Sequence, residues 1–76
     1  MSYNYKKLLG RITEKFGTQG KFADAMDMSE RTISMKLNQK ICWKQTEITR
    51  AAGILDIPVA EIADYFFTAE VQDVEL

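Results

Sequence analysis

The chain has 76 residues, 46% hydrophobic and 28% charged, which makes it one small domain of ordinary globular composition and excludes two. It carries no histidine and one cysteine; this removes the usual neutral-pH base, the commonest transition-metal ligand and any internal disulfide, and points to an intracellular, cytoplasmic setting. Net charge is −1, yet the first fifty residues carry +5 and the remaining 26 carry −6, so a basic face for an anionic partner and an acidic end are expected.

Strand-like alternation is absent over most of the length, so the expected fold is all-α with five helices. The first helix is predicted over residues 5–16, opened by Asn4, whose side chain accepts from first-turn amides. Tyr5, Leu8, Leu9, Ile12 and Phe16 fall on one apolar stripe, and Gly17 ends the helix. Gly10 costs about 1 kcal/mol against alanine in mid-helix and is read as a close helix crossing. The second helix is predicted over residues 19–26, with Thr18 as N-cap, Phe22, Ala23 and Met26 inward, and Asp27 ending it in the left-handed region.

The third helix starts at Glu30 behind the N-cap Ser29 and ends at Leu37 or Asn38. Met28 and Ile33 are placed as a hydrophobic staple. At about 100° per residue Ile33 and Leu37 lie about 40° apart, leaving a broad polar face with Arg31, Met35 and Asn38 opposite. A loop over residues 39–43 follows, with Trp43 as its anchor and Cys42 as a small buried hydrophobe. The fourth helix is predicted over residues 44–55, with Ile48, Ala51, Ala52 and Leu55 inward. The fifth opens at Pro58, with Val59, Ile62, Ala63 and Phe66 as its stripe. Residues 1–67 form the domain and 68–76 an acidic tail.

Two short capped helices joined by a tight turn, the second broadly polar, are the build of a helix-turn-helix, whose second helix enters a DNA major groove. The segment resembles the helix-turn-helix of the phage repressor and Cro family. Thr18-Gln19, Ala23, the run from Ser29 through Ser34 and Leu37-Asn38 carry the resemblance, as does Leu55-Asp56-Ile57-Pro58 at the junction of the last two helices. The pattern is similar to small Cro-like regulators of Gram-positive prophages. Asp27 stands where the family usually has glycine, and in the third helix only Asn38, near its end, supplies a base-reading amide.

The resemblance implies a lambda-repressor-like fold and a sequence-specific regulator on a duplex operator. Thr18 and Gln19 would clamp the backbone, and Ser29, Glu30 and Arg31 would face base edges. Arg31 suits guanine and Glu30 suits cytosine, each worth about 1–3 kcal/mol of discrimination. Thr32 and Ser34 would reach bases or phosphates, Met35 a thymine methyl, and Lys36, Lys40 and Lys44 the phosphates at the rim.

Tyr65, Phe66 and Phe67 are consecutive and span about 200° of a helix, so they cannot all face one small core. With Val71 and Val74 they suggest a homodimer surface. The alternative function is a protein-binding adaptor or antirepressor using the same fold and the aromatic end. No catalytic constellation or phosphate-cradling glycine motif is present, so no enzyme, cofactor, metal or small-molecule substrate is expected. No apolar run approaches the roughly 20 residues of a membrane span.

Overall fold

The computed structural model describes residues 3–69. Five α-helices follow in order: α1 (Lys6–Phe16), α2 (Gln19–Met26), α3 (Glu30–Leu37), α4 (Gln45–Ile54) and α5 (Ile62–Phe66), the last entered through a 3₁₀ turn at Val59–Glu61. The expected all-α class is what forms, with a single isolated antiparallel bridge, Tyr3 to Ala69, among the described residues. No helix of the described residues is long and apolar enough to cross a membrane.

The helix ends follow local chemistry. Asn4 Oδ1 accepts from the Lys6 amide at 2.8 Å. Thr18 Oγ1 accepts from the Lys21 amide at 3.2 Å, and Ser29 Oγ accepts from the Thr32 amide at 3.1 Å; each satisfies one first-turn donor that a helix leaves open. Lys44 precedes α4, and its amide donates to Glu47 Oε1 at 2.9 Å, which is half of a capping box. At the C-terminal ends Gly17, Asp27 and Asp56 all take positive φ, at 84°, 59° and 56°. Asp27 thus makes the left-handed turn in the place of a glycine, and its own amide donates to Ala23 and Asp24 carbonyls.

The core collects Leu8 and Ile12 from α1, Phe22, Ala23 and Met26 from α2, Ile33 and Leu37 from α3, and Ile48, Ala51 and Ala52 from α4. Leu55, Ile57 and Phe66 close it. Arg11 ties α1 to the end of α4, donating from Nε to the Leu55 carbonyl at 2.8 Å and from a terminal nitrogen to the Asp56 carbonyl at 3.3 Å. The N-terminal segment is clipped at both sides: the Asn4 amide donates to Thr68 O at 2.7 Å, and the Tyr3 amide to Gln39 Oε1 at 2.7 Å.

Four expectations need correction. Gly10 has nothing within 4 Å of the position a Cβ would take, so it marks no close crossing. Cys42 is exposed, because its loop turns its backbone inward and its thiol outward. Val59 is 86% exposed and Ala63 is exposed; the 3₁₀ turn has three residues per turn and shifts the phase of the stripe. Phe66 is 1% exposed and packs edge-on against Trp43 at 5.3 Å, so it belongs to the core of one chain and not to a dimer face. Tyr65 is half-buried beneath Lys7, whose ammonium lies 4.7 Å from its ring centre. Phe67 remains 49% exposed. Val71 and Val74 lie outside the described residues.

These two neighbours predict losses of very different size in urea unfolding. Phe66→Ala should cost about 3–5 kcal/mol, since it empties a filled core site. Phe67→Ala should cost about 1 kcal/mol, the value of its edge contact with Tyr3.

Candidate functional site

The α2–turn–α3 unit presents one continuous surface. Helix α2 ends at Met26, residues 27–29 turn the chain, and α3 starts at Glu30. Ile33 and Leu37 hold α3 to the core at 0% and 6% exposure, so the other side of the helix faces outward. That side begins with Ser29, Glu30 and Arg31, all exposed, and continues through the half-buried Thr32, Ser34 and Met35. Exposed Thr18 and half-buried Gln19 stand at the start of α2. Lys21, Lys40 and Lys44 are exposed around this unit.

Several of these side chains are already committed within the chain. Ser29 donates to Thr32 Oγ1 at 2.8 Å, so both hydroxyls serve the cap. The Asn38 amide donates to the Ser34 carbonyl at 2.9 Å and approaches its hydroxyl at 3.3 Å. The Glu30 carboxylate is folded over Gly20, with Oε1 3.3 Å from where a Cβ would sit. There the open amides in the first turn of α2 favour an anion. Glu30 therefore faces α2, and Arg31 is the unpaired charged group at the start of α3.

Lys36 departs furthest from its expected place. It is not a rim phosphate contact; its side chain is 3% exposed. Its ammonium donates to Glu47 at 2.9 Å and to the Cys42 carbonyl at 2.8 Å, and lies 5.9 Å from the centre of the Trp43 ring. A lysine costs too much to bury without such partners. Lys36 stands about 60° from Ile33 on the helix wheel, on the flank away from Leu37, which was the available signal. Burial by itself raises the Glu47 carboxyl, but the hydrogen bond from Lys36, the Lys44 amide and the two lysine charges outweigh it and hold the group below its ordinary value.

Other cations are spent in the same way. Lys15 pairs with Asp56, and that hydrogen bond and charge hold the Asp56 carboxyl low. Arg11 pairs with Glu14 at 2.9 Å, Lys7 lies 3.9 Å from Asp64, and Arg50 donates to the Met26 carbonyl at 3.1 Å. The surface around α3 is left with Lys21, Arg31, Lys40 and Lys44 as exposed cations. No group of three or more potential metal ligands occurs among the described residues.

Residues 1–69 match a family described as "Protein of unknown function (DUF739)". The chain belongs to that family. This DUF739 member is also similar to a solved structure, the solution structure of the modulator of repression of the temperate bacteriophage TP901-1 from Lactococcus lactis. The two are 54% identical, with a TM-score of 0.79, and the match covers 95% of this chain and 97% of that one. No curated protein matches the sequence. The small all-α fold is therefore that of a phage regulator.

The buried pair predicts an asymmetric response. Glu47→Ala strands a buried ammonium and should cost about 3–5 kcal/mol. Lys36→Met leaves Glu47 at 18% exposure with the Lys44 amide still bound, and should cost no more than about 1–2 kcal/mol. The folded carboxyl sits below its unfolded value. Its stabilisation is therefore full above the ordinary carboxyl range of about 4.3 and is lost as pH falls through the lowered folded value. Denaturant midpoints measured from neutral to acid pH should show this loss in the parent, and Glu47→Gln should flatten it.

Proposed function

We propose that this chain modulates repression in a phage-type regulatory circuit, using α2–turn–α3 as a helix-turn-helix whose exposed face contacts duplex DNA beside a second DNA-binding unit. The observation that carries the reading is the 54% identity, over nearly the whole of both chains, to a phage modulator of repression. In this reading the N-terminus of α3 enters the major groove, with Arg31 reading a base edge. Thr18, Gln19 and Lys21 hold one phosphate strand, and Lys40 and Lys44 the other. Ser29 serves as a cap, and Thr32, Ser34 and Met35 line the approach.

The charge that remains limits the strength of this contact. Only Lys21, Arg31, Lys40 and Lys44 are exposed cations around the face. With Arg31 on a base edge, the three lysines at phosphates give a salt slope of about −3, well short of proteins with 6–10 phosphate contacts. A single chain is then a weak binder, and regulation needs a companion unit: a second copy, or a repressor already on the operator. A modulating role suits that weakness better than independent repression does.

The second reading is the protein-binding adaptor or antirepressor. It is favoured by the same spent charge: Lys36 is turned into the fold, exposed Glu30 leans over Gly20, and the α3 face carries mixed polar and apolar groups suited to another protein.

Fluorescence anisotropy with duplex fragments from the protein's own locus, at two salt concentrations, separates the readings. Selective, salt-weakened binding is expected. Arg31→Ala should lose about 1–3 kcal/mol of discrimination at one position, while Lys21→Ala should weaken all sequences alike. Lys36→Met, buried away from the face, should leave affinity unchanged. Equal, weak binding to every fragment, untouched by Arg31→Ala, rejects the DNA reading and leaves the adaptor.

A further inference from the structure

One carboxylate sits where no cation accounts for it. Glu30 is the first residue of α3, yet its side chain lies over the first turn of α2. Its Oε1, carboxyl carbon and Oε2 are 3.3, 3.5 and 3.8 Å from the position a Cβ would take on Gly20. None of the ion pairs among the described residues involves Glu30. Its own helix has no need of it as a cap, since Ser29 already meets the Thr32 amide. Helix α2 has no acidic residue in its first turn, and the Thr18 hydroxyl takes the Lys21 amide. The Gln19 and Gly20 amides, the first two of the helix, then have no intrahelical acceptor. Glu30 brings a negative charge to this end of α2 from across the turn. Glycine makes the room for it: a Cβ at position 20 would stand inside ordinary contact distance of Oε1.

We propose that the cradle over Gly20 is a seat for a phosphate group, that Glu30 fills it in the free chain, and that a backbone phosphate of DNA enters by displacing the carboxylate. The inference rests on the DNA reading above and adds to it a residue that sets the affinity. A carboxylate and a phosphate make the same demand on the site: open amides and the positive end of a helix dipole. The surroundings suit an incoming anion. Thr18 and Lys21 are exposed in the same turn, and Lys21 is in none of the ion pairs among the described residues. Glu30 is exposed as well, so its side chain can swing into solvent while Ser29 keeps α3 capped. In the free chain the carboxylate offsets part of the positive field that a phosphate would meet. Displacing it is a cost common to every DNA sequence, whereas Arg31 acts on one base. Glu30 therefore lowers affinity across all sequences and leaves their ranking alone.

The test uses the full chain and Glu30→Gln, which removes the charge and keeps the size. The ¹⁵N-labelled protein is titrated with inorganic phosphate at constant ionic strength. The Gln19 and Gly20 amide resonances should move in Glu30→Gln and barely move in the parent. In anisotropy titrations Glu30→Gln should bind every duplex fragment about 2–5-fold more tightly, the effect of one anion at a helix N-terminus. Glu61→Gln removes an exposed carboxylate from the 3₁₀ turn before α5. It should leave affinity as it is, which separates the seat from net charge. Equal movement of the two amides in parent and variant, or movement in neither, overturns the proposal. So does an equal gain from Glu61→Gln. Unchanged or weakened binding by Glu30→Gln, in a chain whose selectivity Arg31→Ala still removes, overturns it too. If binding is unselective and Arg31→Ala has no effect, the DNA reading fails, and the phosphate titration alone decides the seat.

Discussion

A lysine ammonium withdrawn from water is the constraint around which α3, α4 and the loop between them are arranged. Lys36 can be charged at 3% side-chain exposure only because Glu47 and the Cys42 carbonyl meet it at 2.9 and 2.8 Å. Those partners come from the start of α4 and from the loop before it, so satisfying one charge fixes two elements against α3. Trp43 is drawn over the same site and meets Phe66 of α5. The face of α3 that looks outward is therefore backed by a polar rivet as well as by Ile33 and Leu37.

The same economy governs the rest of the charge. A small domain buries only about 60% of its unfolded surface, so contacts between distant segments count heavily. Here the basic first fifty residues and the acidic remainder are not two opposed poles. Lys7 meets Asp64, Lys15 meets Asp56, and Arg11 closes on the carbonyls at the end of α4. Each of these exposed pairs is worth little singly. Together they join α1 to both C-terminal elements, and they lower the positive field that an anionic partner would meet. Composition showed the segregation of charge; it did not show that the two halves are folded against each other.

The helix plan was legible because its signals are local. Thr18, Ser29, Gly17 and Asp27 act on the backbone within a few residues of themselves, and the observed ends of α2 and α3 fall where those residues place them. The fifth helix was less legible, since the 3₁₀ turn at Val59–Glu61 changes the phase by which inward residues are counted. At the site, Arg31, Lys21, Lys40 and Lys44 are exposed as their polarity suggests. The roles of Lys36 and Glu30 were not legible, because each depends on a partner supplied by another element: Glu47 beyond the loop in one case, the bare backbone of Gly20 in the other. A helix wheel records direction around one axis and carries no information about what stands opposite.

The clip between the N-terminal segment and the end of α5 has a practical side. Tyr3 pairs with Ala69, and Asn4 donates to Thr68, so the two extremities of the described chain leave the molecule from one corner. Joining them covalently would close almost no loop and so sacrifice little chain entropy. A circularly permuted protein, opened at the exposed turn around Gly17, would keep every core residue and still carry α2 and α3 as one uninterrupted piece. Labels or fusion partners joined next to Tyr3 or Ala69 would crowd that single corner, beside Gln39 at the far end of α3 from Ser29.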